Sequence, residues 1–457
     1  MNSLLPKFII FSYIILHKMS IMLPKEINYD LPVSLPSGVT SMDVSISPCN
    51  GSVFSTATAG AIVQFDLPAR GFSDFKTLSL RYKGSVVATG FSRMRGTPVY
   101  TPLQRLDVIF GSQNAQNIQD YNQVANMLTN LRLNVADKVS SVTSYGWKLE
   151  NDTHVMTLQG CDGRSCAGPE VFSLGAPLPC ILSDADRYLP TFMMPAIRLQ
   201  LTLDSIANIF APASAAAIPA DFQTGVPATS ITVVPTDYIL SDFCLTYNIL
   251  DFPEEVSNVV LSMGEKITIK SESFGNSSNT LPIGSNGQVE LIYSQKYASV
   301  KSLFLHCSST STNGRFDAYE VTSGGDVQFN IAGKLFPQSR PLSSAAAHRA
   351  TLHLELRKAV GSLYDKKNTM SINTQEYLTI RTASTVVNPA KVYYGCSTEV
   401  IQSNSVLLSG VSTQNSPITC RLNILAATTV PVNAALITSY DCLIEIEPAT
   451  KSARVIM

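Results

Sequence analysis

The chain has 457 residues, which is more than one ordinary hydrophobic core accommodates, so the length predicts two or three domains. Charged residues make up only 15% of the sequence against a usual ~25%, which indicates either little solvent-facing surface or much surface buried against partners. The formal net charge is −1 and residues 1–40 contain only Lys7, Lys18 and Lys25 as basic residues, so the sequence argues against a basic arm and against direct, sequence-specific binding of nucleic acid.

Residues 1–38 are predicted to form an N-terminal leader or arm outside the folded domains. The apolar run FIIFSYIIL at 8–16 is too short to cross a bilayer, so no transmembrane segment is expected. This run resembles the hydrophobic region of a signal peptide, but no small-x-small cleavage site follows it. We therefore expect a non-folding leader, an over-extended translation start or a peripheral N-terminal segment rather than a secretion signal.

Strict alternation of apolar and polar residues is the dominant pattern after this segment. In LSLRYKG, for example, Leu78, Leu80 and Tyr82 share one face and polar side chains share the other. Each such stretch predicts a half-buried strand. Many short strands separated by Asn-Gly and Gly-Gly turn signals favour antiparallel β-sandwiches over an α/β sheet.

The first predicted helix lies in 111–134, a segment rich in Asn and Gln. Apolar residues recur every three or four positions from Ile118 to Leu131, which predicts an amphipathic helix in NIQDYNQVANMLTNL (117–131). Two segments further along, near 161–180 and near 206–236, are rich in Pro, Gly and Ala. They are predicted to be long surface excursions from the first sandwich, because proline at that density prevents a regular helix or ladder.

The second predicted helix lies in SSAAAHRATLHLELRKAVGSLYDKK. Its apolar stripe consists of Leu352, Leu356, Val360 and Leu363, and Ser343 or Ser344 is the expected N-terminal cap. Each helix follows one group of strands and precedes another, which is a coarse internal repeat. The sequence therefore predicts two similar β-sandwiches with one helix each, the first spanning 39–250 and the second 251–457.

The nine cysteines show no repeated spacing, and their odd number argues against a secreted disulfide framework. We expect reduced thiols in a cytosolic or nuclear compartment. The closest pair, Cys161 and Cys166, has no partner cluster at zinc-ligand spacing.

Motifs for catalysis are absent from the sequence, including phosphate loops, nucleophile elbows and zinc-protease pairs. His348 and His353 point to different sides of the second predicted helix, because five residues rotate by about 140°. Asp184 and Asp186 in SDADRY are more typical of an Asx turn than of a metal site. No catalytic residue, cofactor site or metal site is predicted, and the chain is expected not to be an enzyme.

Several segments resemble a known family. SPCNGSVFS followed by IVQFDLPARGFSDFKTLSLRYKG resembles the opening strands of double jelly-roll major capsid proteins of eukaryotic DNA viruses, including Polinton-like viruses and their relatives. RGTPVYTPLQRLDVIFGSQNAQNIQDYNQVANML and QKYASVKSLFLHCSS, with the NGRFDAYEVTSGGDVQFNIAGKLFPQSRPLSS that follows, are similar to framework segments of the two rolls. The resemblance covers roughly residues 40–380.

The resemblance implies two consecutive eight-stranded jelly-roll sandwiches, each with one inserted helix. It implies a structural major capsid protein that forms homotrimers, whose six jelly rolls make pseudo-hexagonal capsomers of an icosahedral shell. The implied partners are further copies of the chain, neighbouring capsomers, and penton or minor capsid proteins. The implied location is the virion, assembled in the reducing cytoplasm or nucleus of a host.

Two other functions remain open at this point. A secreted or cell-surface lectin or adhesin with a β-sandwich fold would require paired cysteines. A β-sandwich carbohydrate-active enzyme would require two carboxylates about 5–10 Å apart in a cleft, and the sequence identifies no such pair.

Within the capsid hypothesis, the first helix is interpreted as a packing element whose amide face meets strand ends or a neighbouring subunit. Uncharged amides fit such a place because they are buried at a lower free-energy cost than charges. The amides are Gln116, Asn117, Gln119, Asn122, Gln123 and Asn126. The candidate packing and subunit-contact residues are Ile118, Tyr121, Asn122, Gln123, Asn126 and Leu128.

Overall fold

The computed structural model describes residues 38–457 except for 58–59, 88–91, 95, 147, 151–152, 156–169, 213–236, 255–256, 259–265, 310–315, 317–324, 344, 364–369, 371–391 and 401–407. Three regions considered in the sequence analysis therefore lie wholly or mainly outside the described residues. These are the predicted leader at 1–38 (apart from Gly38), Cys161 with Cys166, and the proline-rich part of the second predicted excursion.

Up to residue 251 the described chain contains fourteen strands. In chain order these strands are β1 (Thr40–Ile46), β2 (Val53–Ser55), β3 (Ile62–Leu67), β4 (Phe72–Val87), β5 (Ser92–Met94), β6 (Leu103–Phe110), β7 (Gln113–Ile118), β8 (Lys148–Glu150), β9 (Thr153–Val155), β10 (Glu170–Pro177), β11 (Leu189–Pro190), β12 (Ile197–Leu203), β13 (Phe210–Pro212) and β14 (Asp237–Asp251).

From residue 266 onward the described chain contains ten more strands. They are β15 (Ile267–Leu281), β16 (Gly287–Tyr293), β17 (Val300–Ser309), β18 (Asp326–Ile331), β19 (Lys334–Phe336), β20 (Leu342–Ser343), β21 (Tyr394–Ser397), β22 (Ile418–Ile424), β23 (Val432–Glu447) and β24 (Ser452–Ile456).

Five α-helices are present in the described chain, two of them twelve residues long. They are α1 (Tyr121–Arg132), α2 (Val135–Ser140), α3 (Val142–Tyr145), α4 (Ile206–Ile209) and α5 (Arg349–Val360), and short 3₁₀ turns cover Thr191–Met193 and Ala346–His348.

The strands form two pairs of antiparallel sheets with the same topology. In the first half the main sheets have the orders β1-β14-β4-β10 and β3-β12-β6-β7. In the second half the orders are β15-β23-β17-β21 and β16-β22-β18-β19. We number the eight strands of these two sheets from 1 to 8 along the chain in each half and call them the main strands. In both halves the strand order is then 1-8-3-6 in one sheet and 2-7-4-5 in the other. This order, with the chain crossing between two facing sheets, is that of a jelly roll.

The two long helices occupy equivalent places. Helix α1 lies between the fifth and sixth main strands of the first jelly roll, β7 and β10, and α5 lies between the corresponding strands of the second, β19 and β21. The predicted fold class, mainly β with two consecutive jelly-roll sandwiches that each carry an inserted helix, is confirmed. The short helices α2, α3 and α4 were not predicted.

The cores of both sandwiches arise from the alternation seen in the sequence. Leu78, Leu80 and Tyr82 of β4 are all buried, whereas Arg81 and Lys83 between and beyond them are exposed. Strand β12 shows the same pattern, because its apolar residues are buried and the polar residues between them are half-buried or exposed. Burying one face of each strand places the apolar side chains of facing sheets against each other.

The first predicted helix begins later than the sequence pattern indicated. Residues Gln113–Ile118 form β7, which makes a hairpin with β6 and pairs Ile118 with Leu106. Gly111 supplies the positive φ (60°) of the tight turn, a conformation that glycine adopts without steric strain. Ile118 therefore enters the core from a strand, and only the residues from Tyr121 onward are helical.

The second predicted helix ends earlier than its apolar stripe indicated. Leu352, Leu356 and Val360 are buried as predicted, but Leu363 is 38% exposed. Gly361 adopts a left-handed conformation (φ 82°), and its N–H donates to the carbonyls of the last turn, so the helix stops at Val360. Ser343 is not the N-terminal cap, because it belongs to β20 and His348 occupies the cap position of α5, while Ser344, the other expected cap, lies outside the described residues.

Part of the first predicted excursion is a strand rather than a loop. Residues Glu170–Pro177 form β10, which pairs with β4 at the edge of its sheet. Leu174 and Ala176 are buried, so the segment alternates like the other strands. Gly175 and Pro177 suggested a loop, but an edge strand tolerates a proline because one side of it makes no ladder hydrogen bonds.

Candidate functional site at the junction of the two sandwiches

Helix α1 is buried along its whole length from Tyr121 to Leu131, so in the folded chain it has no solvent-facing side there. Several of its polar side chains consequently form hydrogen bonds inside the protein. The Asn122 amide donates to the carbonyl of Thr101 (3.1 Å) and to the Asp204 carboxylate (3.0 Å). Because an unpaired buried amide would cost free energy, these bonds explain how Asn122 is accommodated in the core.

The other candidate residues of this segment are also buried within the chain. Tyr121 donates its hydroxyl hydrogen to the carbonyl of Pro179 (3.1 Å), and the Asn126 side-chain oxygen accepts from Thr97 (2.9 Å). Gln123 is 3% exposed, and within the described part of the chain its side-chain oxygen has no hydrogen-bond partner. Ile118, Tyr121, Asn122, Gln123, Asn126 and Leu128 thus all pack inside one chain. Contact of these residues with a neighbouring subunit stays a prediction.

Gln116 connects the first jelly roll to the second. This residue of β7 is 1% exposed, and its amide nitrogen donates to the hydroxyl of Ser273 in β15 (2.6 Å). Its amide oxygen accepts from the backbone N–H of Ile181 (2.9 Å). One uncharged side chain therefore joins three separate segments.

The segment from 178 to 186, which we call the junction segment, runs alongside β15. The Ser271 hydroxyl donates to the carbonyl of Ile181 (2.6 Å), and the N–H of Asp186 donates to the carbonyl of Lys270 (2.9 Å). Both partners belong to the second jelly roll. The junction segment is thus hydrogen-bonded at two points to the neighbouring sandwich.

Arg132, at the end of α1, forms an ion pair with Glu272 of β15. The guanidinium also lies over the Phe274 ring, 5.0 Å from its centroid. The Glu272 carboxylate also contacts the Lys301 ammonium (3.2 Å) and accepts a hydrogen bond from the Ser439 hydroxyl (2.7 Å). Burial acts to raise the pKa of the Glu272 carboxyl, but the charges of Arg132 and Lys301 together with the hydrogen bonds hold this pKa well below its ordinary value.

Asp441 of β23 extends this network into the second sandwich. It is fully buried, and its Oδ2 accepts from the Ser299 hydroxyl (3.1 Å) and from the Ser409 N–H (2.9 Å) and hydroxyl (3.0 Å). Its Oδ1 lies 3.3 Å from the Lys270 ammonium and 3.9 Å from that of Lys301. A charge in the middle of a buried strand is tolerated because it is paired and hydrogen-bonded.

Asp184, in the junction segment, lies close to this network. Burial raises the pKa of its carboxyl to about 7, and the negative charge of Glu272 acts in the same direction while Arg132 and Lys301 oppose it. The described residues hold no group of three or more His, Cys, Asp or Glu side chains that could bind a metal ion.

The chemistry of the junction is structural. Its carboxylates at 272 and 441 are engaged by cations and hydroxyls, and Cys180 beside it is a buried thiol whose pKa is raised by burial to about 11. A thiol with a raised pKa is a poor nucleophile at neutral pH. The seven cysteines in the described ranges are all free. Among the helices described, none is long and apolar enough to cross a membrane.

Sequence reasoning missed the charged residues of the junction. The one available signal was Asp441, a charged residue inside the long apolar run AALITSYDCLIEIE. Nothing in the sequence indicated that this residue lies opposite Glu272, because the two positions are brought together by strand pairing between distant segments.

No protein-family model matches the chain, and no curated protein matches it in sequence. Solved structures do match it along almost its whole length. The Faustovirus major capsid protein has a TM-score of 0.60 at 10% identity, with 94% of each chain covered. The VP54 protein of PBCV-1, fitted into a reconstruction of the virophage Sputnik, has a TM-score of 0.58 at 8% identity, with 94% of this chain and 99% of that one covered. The mavirus major capsid protein has a TM-score of 0.50 at 9% identity, with 95% of each covered.

These similarities define the fold. Each comparison extends over both sandwiches, so the match is to the pair of jelly rolls in sequence and not to one jelly roll alone. The chain therefore has a double jelly-roll fold like that of these major capsid proteins. The resemblance predicted from the sequence is confirmed at this level.

Proposed function

We propose that this chain is a structural capsid subunit without enzymatic activity. The observation that carries the proposal is the duplicated jelly roll with equivalent helix positions, which matches viral major capsid proteins from end to end. Fold alone does not define function, so the proposal also depends on the character of the site. The charged groups at the junction are held in ion pairs and hydrogen bonds that stabilise the fold.

The finer proposal is a homotrimer whose six sandwiches form a pseudo-hexagonal capsomer of an icosahedral DNA-virus shell. Each subunit contributes one sandwich from 39–250 and one from 251–457. Its partners are further copies of the chain and penton or minor capsid proteins, and its location is the virion, after assembly in a reducing host compartment. The low content of charged residues, 15%, supports this arrangement because much of the surface of such a subunit is covered by neighbours.

The proposal is tested by the size and shape of the purified full chain. Light scattering after size exclusion and negative-stain electron microscopy should show stable trimers or capsid-like particles, with and without reducing agent. A monomer at micromolar concentration in both conditions would contradict the proposal. A non-reducing gel of the native protein provides the control for the lectin or adhesin alternative, which requires intramolecular disulfides.

A further inference from the structure

The charged residues at the junction form a cluster with balanced charge. Three cations, Arg132, Lys270 and Lys301, are within ion-pair distance of carboxylates in the cluster. Three carboxylates oppose them: Glu272, Asp441 and Glu399, the last 3.5 Å from Lys301. The three positive and three negative charges cancel. Asp184 belongs to none of these ion pairs, so its ionisation adds one negative charge beside a cluster whose charges already balance.

The surroundings of Asp184 favour its protonated form. Its Oδ2 is shielded from solvent and accepts no hydrogen bond from any described residue. The groups that face it from the packed elements are Tyr121 and Arg132 of α1, Glu272 of β15, Lys301 of β17, Cys442 of β23, and Cys180 of its own segment. Ionisation places negative charge on a shielded Oδ2 that has no hydrogen-bond donor among the described residues, and the charge of Glu272 opposes ionisation while those of Arg132 and Lys301 favour it.

Asp184 is also located where a change of charge acts on the contact between the sandwiches. It lies between the two points at which the junction segment is bonded to β15, the carbonyl of Ile181 and the N–H of Asp186. The free-energy cost of an ionised, buried carboxylate at this position therefore falls on the segment that carries these two hydrogen bonds.

We propose that the contact between the junction segment and β15 is a pH-sensitive joint, closed when the Asp184 carboxyl is protonated and loosened when it ionises. This inference concerns the folded chain and does not depend on the proposed capsid function. The sign follows from linkage. Because the pKa of Asp184 is raised from 3.8 to about 7 in the folded protein, the stability that its protonated form contributes is present below about pH 4 and is lost as the pH rises through 7.

The test is thermal unfolding of the full chain from pH 5 to pH 8.5, together with the Asp184→Asn variant. The amide of the Asp184→Asn variant cannot ionise. The unfolding temperature of this variant should therefore stay nearly level over the pH range in which that of the wild type falls by about 3 °C. Asp186→Asn, which removes an exposed carboxylate of the same segment, is the matched control and should follow the wild-type profile. Parallel profiles for wild type and Asp184→Asn would overturn the proposal.

Hydrogen exchange of the wild type locates the effect and does not require a variant that folds. On raising the pH from 6 to 8, and after correction for the intrinsic rate, exchange should increase in a peptide spanning 178–190 relative to peptides from the core of β23. Unchanged relative protection of 178–190 across this pH range would overturn the proposal as well.

Discussion

The Gln116 amide donates a 2.6 Å hydrogen bond to the Ser273 hydroxyl, and this bond joins a strand of the first jelly roll to a strand of the second. Both side chains are buried, and the oxygen of the same amide accepts from the N–H of Ile181. The contact between the two sandwiches therefore includes buried polar groups. Hydrogen bonds depend on angle as well as distance, so they define the relative position of the groups they join.

Replacing Gln116 by leucine tests this contact. The variant leaves the Ser273 hydroxyl and the Ile181 N–H without their partner, and we expect it to lower the free energy of unfolding by about 2 kcal/mol. Gln119→Leu is the control, because this exposed amide donates only to the neighbouring Asn117 (3.0 Å). Urea denaturation of both variants provides the measurement, and equal destabilisation by the two would refute the role of Gln116.

The ion pair between Arg132 and Glu272 is expected to contribute more than a surface pair. A double-mutant cycle with Arg132→Met and Glu272→Gln should give a coupling energy of about 1.5 kcal/mol, since both groups are partly buried in a network. The corresponding cycle at Arg198 and Asp66, whose side chains are about half exposed, should give a smaller coupling energy because solvent screens this pair. A coupling energy at the junction no larger than that of the surface pair would show that the network does not strengthen the ion pair between Arg132 and Glu272.

Asp441→Asn tests the buried end of the network. The variant removes the negative charge that faces Lys270 and Lys301, so we expect a loss of about 3 kcal/mol. Asp242→Asn removes an exposed carboxylate paired with exposed Lys83 and should change stability by less than about 0.5 kcal/mol. Chemical denaturation of the two variants, compared with wild type, decides between a structural and a negligible role for Asp441.

Helix α5 offers a test of core packing with a control on the same helix. Leu356 is fully buried and Leu354 is 43% exposed. Leu356→Ala should lower the free energy of unfolding by about 3 kcal/mol because it leaves a cavity. Leu354→Ala should change it by less than about 0.5 kcal/mol. Similar effects of the two substitutions would contradict the packing of α5 against β21 and β17.

The strands were predictable wherever one face is buried and the other is solvated. Leu78, Leu80 and Tyr82 show this pattern directly, since alternation depends only on neighbouring residues. Strand β7 was not recognised, because its Asn and Gln residues have low strand propensity and its pairing with β6 decides its conformation.

The junction was predictable only in part. A buried role for Gln116, Asn122, Gln123 and Asn126 could be inferred from their chemistry, but their partners could not, and Asn117 and Gln119 are exposed. Ser439 accompanies Glu272 only because β15 and β23 pair across the intervening length of the second sandwich, and such pairing leaves no trace in local sequence.

The buried polar junction has a geometric consequence for assembly. Two sandwiches held by an apolar contact alone could slide or rotate against each other, whereas directional bonds from Gln116 and the junction segment fix the angle between them. In a closed ring built from such subunits, a small error in this angle would add up from one subunit to the next. A rigid internal angle would therefore let each chain contribute two sides of a ring that closes without further adjustment.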